Sequence, residues 1–109
     1  METRIFGRSG LRLSILGFGC GAVGGLMVRG SHADQNKAVG LALDAGVNYF
    51  DTAVQYGAGV SETNLVQCLY FLFPSLLLFG AAIDVAYHRS GPLTDANRPF
   101  HVLTAGHLV

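Results

Sequence analysis

The sequence predicts an α/β fold built on parallel strands. Three observations carry this. Strand-like apolar runs alternate with a segment of helical period, in the order hairpin, strand, loop, helix, strand, loop, helix, and such alternation makes the strands parallel. Long glycine-bearing loops follow the strands. The composition is that of a packed chain: 109 residues, half of them apolar, 13% charged, with a net charge of zero.

That length is one domain's worth or less. Zero net charge excludes a strongly basic nucleic-acid binder, because phosphate binding needs clustered Lys and Arg. The apolar content excludes disorder, which needs low hydrophobicity and high net charge. No repeat of solenoid length is present. Cys20 and Cys68 make neither a disulfide framework nor a C-x-x-C pair, so a reduced, cytoplasmic setting is expected. Arg4, Arg8 and Arg12 before Leu13–Val28 mimic a signal peptide, but five glycines interrupt that stretch and no continuous apolar core follows.

The elements follow in order. Thr3–Phe6 and Leu11–Leu13 flank Gly7-Arg8-Ser9-Gly10 and predict a β-hairpin. Ile15–Phe18 is a short apolar run bounded by glycine and predicts a buried strand. A glycine-rich loop runs from Gly19 to about Ala33. Asp34 then caps a helix in which Ala38, Leu41, Ala42 and Ala45 recur at three- and four-residue spacing, and Gly46 ends it at C′. Val47–Ala53 is the next strand, with Asp51 near its C-terminal end. Gln55–Val60 is a loop, and Ser61 starts a second helix with Glu62 and Thr63 in its first turn.

Beyond that point the chain changes character. Residues 1–67 hold 12 of the 15 glycines and no proline, whereas 68–109 hold all three prolines and 6 of the 11 aromatic residues. Ten charged residues precede Gln67 and four follow it. Two segments, 1–67 and 68–109, are therefore expected, joined near Val66. Cys68–Tyr87 reads as a helix broken at Pro74 or as strand-like pieces, and Ser90–Phe100 as a loop. Thr63–Ile83 carries no charge and has about the length that spans a bilayer, although Gln67, Pro74 and Ser75 interrupt it.

Two constellations bear chemistry. Gly19-Cys20-Gly21-Ala22-Val23-Gly24 fits G-x-G-x-x-G after a strand, the pattern that brings a helix N-terminus to a pyrophosphate. The helix should then open within the motif, but helical periodicity starts only near Asp34, so a flexible βα loop is the better reading, of a kind that also binds ligands in barrel folds. The second constellation is Asp51 with Tyr56. In parallel α/β folds the strand C-termini and the loops after them form the active face. A phenol of ordinary pKa, about 10, is a poor proton donor at neutral pH unless a cation lowers it. The pair thus makes chemical sense with a third, positive partner; the alternative is a capping Asp and a packed Tyr. The four histidines have no metal-ligand spacing, and no metal is expected.

Four ordered blocks add a resemblance. Phe6-Gly7-Arg8-Ser9-Gly10-Leu11, Leu16-Gly17-Phe18-Gly19, Gly46-Val47-Asn48-Tyr49-Phe50-Asp51-Thr52-Ala53 and Tyr56-Gly57-Ala58-Gly59-Val60-Ser61-Glu62 resemble the N-terminal region of the aldo-keto reductases over about residues 3–65. The resemblance implies the N-terminal hairpin and first two βα units of a (β/α)8 TIM barrel, incomplete here, with the hairpin closing the barrel bottom. It implies reduction of a small aldehyde or ketone with NADP(H). Asp51 and Tyr56 would be two members of a catalytic tetrad of Asp, Tyr, Lys and His. Tyr56 would protonate the carbonyl oxygen and Asp51 would hold the lysine that tunes it. Gly19, Cys20, Gly21 and Asp51 would line the nicotinamide end of the cofactor.

The family pattern stops at Val66. The one lysine of the chain, Lys37, falls on the first predicted helix, away from the active face, and His88, His101 and His107 match no family motif. A barrel of this kind needs about 250 residues. The expectation is a truncated aldo-keto reductase that is not catalytically competent, its last segment read from unrelated coding sequence. Open sheet edges then favour self-association. The alternative is a non-enzymatic or membrane-associated chain that uses the apolar segment 65–83.

Overall fold

The computed structural model describes residues 1–72, 85–87 and 101–104. Among them the chain forms β1 (Thr3–Ile5), β2 (Arg12–Ser14), β3 (Phe18–Gly19), α1 (Leu26–Arg29), α2 (His32–Asp44), β4 (Tyr49–Thr52), α3 (Val60–Leu72), β5 (Val85–Tyr87) and β6 (His101–Thr104). β1 and β2 pair antiparallel, with Arg4 opposite Leu13. The other four strands make one parallel sheet in the order β3-β4-β6-β5. The predicted α/β class and parallel strands are therefore present, and the sheet does not close into a barrel among the described residues.

The hairpin sits at the N-terminal end of the sheet. Its turn is closed by Ser9, whose N–H and hydroxyl both donate to Phe6 O, at 3.1 and 2.6 Å. Asn48, just before β4, locks the hairpin to the sheet. Its Oδ1 accepts from Ser14 N at 2.8 Å, its Nδ2 donates to Arg12 O at 3.0 Å, and its N–H donates to Ser14 Oγ at 3.1 Å. Leu11, Leu13 and Val47 are buried beneath this lock.

The core lies on one side of the sheet, under the helices. Cys20, Met27, Val39, Phe50, Leu65, Cys68, Leu69 and Val102 form one buried cluster. α3 runs on across positions 67 and 68, so Cys68 and Leu69 pack beside Val39 and Phe50. Val102 on β6, paired with Phe50, joins them. Helix ends follow their expected chemistry at one terminus. At Gly46 (φ +96°) the N–H donates to Leu43 O at 3.0 Å, and Val47 N–H donates to Ala42 O at 3.0 Å, the paired bonds of a Schellman stop. Only a residue free to take positive φ ends a helix this way without strain.

Three expectations are corrected. The strand expected over Ile15–Phe18 is Phe18–Gly19, and Ile15 and Leu16 are 55% and 60% exposed. Ser14 Oγ donates to Leu16 O at 2.6 Å, which turns the chain outward before it can pair. The loop from Gly19 to Ala33 contains the short α1, and α2 starts at His32. Its cap is Ser31 rather than Asp34: the Ser31 hydroxyl accepts from Asp34 N at 3.1 Å, as an N-cap oxygen does from the third helical amide. Residues 73–84 and 88–100, where Pro74 and the Ser90–Phe100 loop were read, lie outside the described residues.

Among the described residues no helix is long and apolar enough to cross a membrane. In the described part of the apolar segment, 65–72, Leu65, Cys68 and Leu69 are in the core, while Phe71 is 67% exposed.

Candidate active site

The C-terminal ends of β3 and β4 bring the predicted residues together. Gly19 on β3 pairs with Asp51 on β4, and Cys20 N–H extends the ladder by donating to Asp51 O at 2.8 Å. Strand alternation then sorts the side chains. Phe18 and Cys20 turn toward the helices with Phe50, their rings or thiol joining the core. Gly17, Gly19, Tyr49 and Asp51 belong to the other face, where Asp51 is exposed. A Cβ on Gly17 would run into the hydroxyl end of the Tyr49 ring, so that end occupies the space beside the glycine. Over Gly19 there is open space.

Tyr56 completes the group. It follows a turn in which its N–H donates to Ala53 O at 3.1 Å. The next three residues, Gly57, Ala58 and Gly59, all have positive φ (+64°, +53° and +93°). This left-handed winding, tolerable because two of the three residues are glycine, folds the chain back over the sheet end. The Tyr56 ring comes to rest with Cζ 3.8 Å from where a Cβ on Gly21 would stand. Gly19, Gly21, Asp51 and Tyr56 therefore share one rim.

Cys20 stands between the rim glycines but is itself buried, 1% exposed as a whole residue. Burial pushes its thiol from the ordinary 9.0 up to about 12, with the Asp51 carboxylate and Cys68 adding to the rise. Burial likewise raises Cys68. Both thiols are free.

Beneath the rim lies a buried polar knot that sequence reasoning missed. Ser61, at the start of α3, is fully buried, and its hydroxyl donates to Cys20 O at 2.8 Å. A serine has one hydroxyl proton, so with that proton committed the Thr52 hydroxyl donates to Ser61 Oγ across 3.0 Å. Ser61 N–H donates to Tyr56 O at 3.2 Å. The sequence signal was a Ser and a Thr flanking an apolar strand–loop–helix unit, a pattern also met at ordinary helix starts. Further out, Asn64 Nδ2 donates to Met27 O at 2.8 Å, and Gln35 Nε2 donates to Leu26 O and Gly30 O, both at 3.0 Å. These bonds clamp α1 and the glycine loop to α2 and α3.

Other sequence candidates lie elsewhere. Lys37 is exposed on α2. His32 opens α2 and is exposed. His101 pairs with Tyr49, at the entry end of β4 rather than at the rim. The loop Gly19–Gly24 does not open a long helix: Gly25 N–H donates to Gly21 O at 3.2 Å, and the four-residue α1 follows. Among the described residues no three His, Cys, Asp or Glu side chains gather as a metal site.

The described residues thus define a parallel α/β unit with an N-terminal hairpin and with a carboxylate and a phenol at the C-terminal ends of its strands. The aldo/keto reductase family model matches residues 15–72, and the chain belongs to the aldo/keto reductase family. It is 41% identical over 61 residues to pyridoxal 4-dehydrogenase of Microbacterium luteolum, covering 56% of this chain and 18% of that protein. It is 35% identical over 65 residues to L-galactose dehydrogenase of Arabidopsis thaliana, covering 60% and 20% respectively. Among solved structures it is similar to a holo-form aldo-keto reductase of Bacillus halodurans, with a TM-score of 0.54 and 32% identity, over 63% of this chain and 22% of that one. The chain spans about a fifth of the length of these relatives.

Proposed function

We propose that this chain carries one part of the active site of an NADP(H)-linked carbonyl reductase, and that the 109 residues alone do not complete the reaction. Tyr56 is the proton donor to the oxygen of a small aldehyde or ketone. Asp51 orients the cation that would make that phenol a usable acid. The backbone of Gly19, Cys20 and Gly21 receives the nicotinamide end of the cofactor, with Asp51 beside it. When bound, the cofactor supplies the hydride. The residues fit such a group: Gly19 has no neighbour within 4 Å on its Cβ side, so a flat ring can reach the backbone there. The observation that carries the reading is the pairing of Gly19 with Asp51 under a Tyr56 ring that lies over Gly21.

Among the described residues the part missing from the rim is the cation. The chain's one lysine, Lys37, sits on the helix α2, and without a positive neighbour a phenol is a poor acid at neutral pH. In this reading residues 1–67 are the N-terminal part of the reductase domain, and 68–109 are a second segment, of which Cys68, Leu69 and Val102 join the core. Two free, buried cysteines suit a reducing, cytoplasmic setting. β3 has a strand partner on one side only among the described residues, so self-association through its free edge belongs to the same proposal. A sedimentation profile that shifts with concentration supports that edge pairing, and an unchanging monomer removes it.

Two measurements on the purified chain test the chemistry. With NADPH and a simple aldehyde, no turnover is expected; turnover that survives Lys37→Ala overturns the missing-cation reading. With NADPH alone at high concentration, amide shifts are expected to cluster at Gly19–Gly21, Asp51 and Tyr56. Shifts confined to other parts of the chain would remove the assigned cofactor edge.

A further inference from the structure

We propose that Ser61 is the positioning residue of this rim, an inference that rests on the site reading above. Each segment that carries a site residue is tied to Ser61 by one hydrogen bond. The β3 exit is held through Cys20 O at 2.8 Å, the β4 exit through the Thr52 hydroxyl at 3.0 Å, and the Tyr56 turn through the Ser61 N–H at 3.2 Å. Ser61 is fully buried and stands on the first turn of α3, whose Leu65, Cys68 and Leu69 are anchored in the core. The helix therefore serves as the rigid reference, and the three looser segments are registered against it.

The β3 exit has particular need of that bond. Cys20 is flanked by Gly19 and Gly21, the residues with the most backbone freedom to lose. Cys20 N–H is held by Asp51 O, but the strand ends there, and its carbonyl has no ladder partner on β4. The Ser61 hydroxyl supplies one. A buried carbonyl left without a donor carries a desolvation cost, so its loss would turn the peptide between Cys20 and Gly21 to seek another donor. Gly21 underlies the Tyr56 ring, so that turn is transmitted to the phenol. Thr52 acts on the same hydroxyl at one remove.

The test is spectroscopic and uses the whole chain without cofactor or carbonyl compound. In the wild type, a cross-peak between the Tyr56 ring protons and the Gly21 α-protons is expected. In Ser61→Ala that cross-peak falls by at least about half, and exchange of the Cys20 amide speeds up about tenfold, while methyl signals of Val39, Leu65 and Leu69 stay in place. Ser61→Cys, which keeps a weak donor of similar size, restores part of both. A purely stabilising serine would leave the ring contact unchanged in the folded protein, and that result overturns the proposal. Where Ser61→Ala yields no folded core signals, Thr52→Val decides on the same readouts: a shift in the same direction upholds the positioning role, and no shift overturns it. Because no turnover is measured, the rim can prove mispositioned in Ser61→Ala whether or not the reductase reading survives its own assay.

Discussion

The two faces of β4 are in opposite surroundings. Phe50 and Thr52 are fully buried against the helices, while Tyr49 is half-buried and Asp51 is exposed on the other side. Four consecutive residues thus divide between two tasks. The helix side carries the apolar cluster that makes the unit fold. The open side carries the carboxylate, the phenol and the bare glycine backbone on which the proposed chemistry rests. In a closed barrel the second face would line the interior and the mouth. Here it is uncovered among the described residues, so its residues contribute little stability.

That division is broken most directly by truncating its buried half. Phe50 is at 0% exposure and touches the ring of Phe18, with centroids 5.5 Å apart. Phe50→Ala is expected to cost about 3–5 kcal/mol in a denaturant titration, a large share of a typical domain's stability. A cost near that of a surface change, below about 0.5 kcal/mol, would mean the helix side is not the core.

Alkaline titration comes next in size. In the unfolded chain the Cys20 thiol titrates near its ordinary 9.0, and in the folded chain burial holds it up to about 12. Between those values the folded state binds more protons than the unfolded one. The thiol's contribution is therefore complete below pH 9 and is lost as pH rises toward 12, roughly 4 kcal/mol over the window. Cys68 acts in the same direction. The unfolding free energy should fall more steeply with pH in the wild type than in Cys20→Ala. Equal slopes would show that the thiol is not shielded by the core.

How far the sequence revealed these faces differs between them. Order and direction of the elements were legible because glycines, caps and apolar period are local signals: Gly46 stops α2 through its own backbone, and Tyr49–Thr52 falls inside the predicted Val47–Ala53. The position of Asp51 on a strand and of Tyr56 in the loop after it was legible in the order of apolar run and glycine-bearing loop. What escaped were features set by partners distant in the chain. Ile15 and Leu16 look like a core strand until the Ser14 and Asn48 bonds, from 34 residues away, turn them out. Ser61 looks like a helix cap until its hydroxyl is seen to reach Cys20, 41 residues back. The place of Val102 in the core required the β6 register, which no local pattern announces.

Two glycines on the open face sharpen the comparison at smaller energies. A Cβ on Gly17 would overlap the far end of the Tyr49 ring, whereas one on Gly21 would meet Tyr56 at ordinary contact distance, 3.8 Å. Gly17→Ala is expected to swing the Tyr49 ring into solvent at a cost of about 1 kcal/mol, because a half-buried ring moves more readily than a packed core. Gly21→Ala should leave the Tyr56 ring in place. Ring proton shifts read both, and a fixed Tyr49 in Gly17→Ala would show that this face is packed rather than open.

The smallest effect links the two faces electrically. Asp51 is exposed, so Asp51→Asn should change the unfolding free energy by less than about 0.5 kcal/mol. Yet its carboxylate is the second cause of the raised Cys20 thiol, acting across the pair of strands that hold Gly19 opposite Asp51. Neutralising it removes a like charge that opposes the thiolate, so Cys20 should lose its proton at lower pH, while burial keeps it above the ordinary 9.0. Thiolate absorbance in Cys68→Ala, with and without Asp51→Asn, isolates the effect. A downward shift with unchanged stability means the open face acts on the core by field and not by packing. An unmoved titration would mean that water at the rim screens Asp51 from the core.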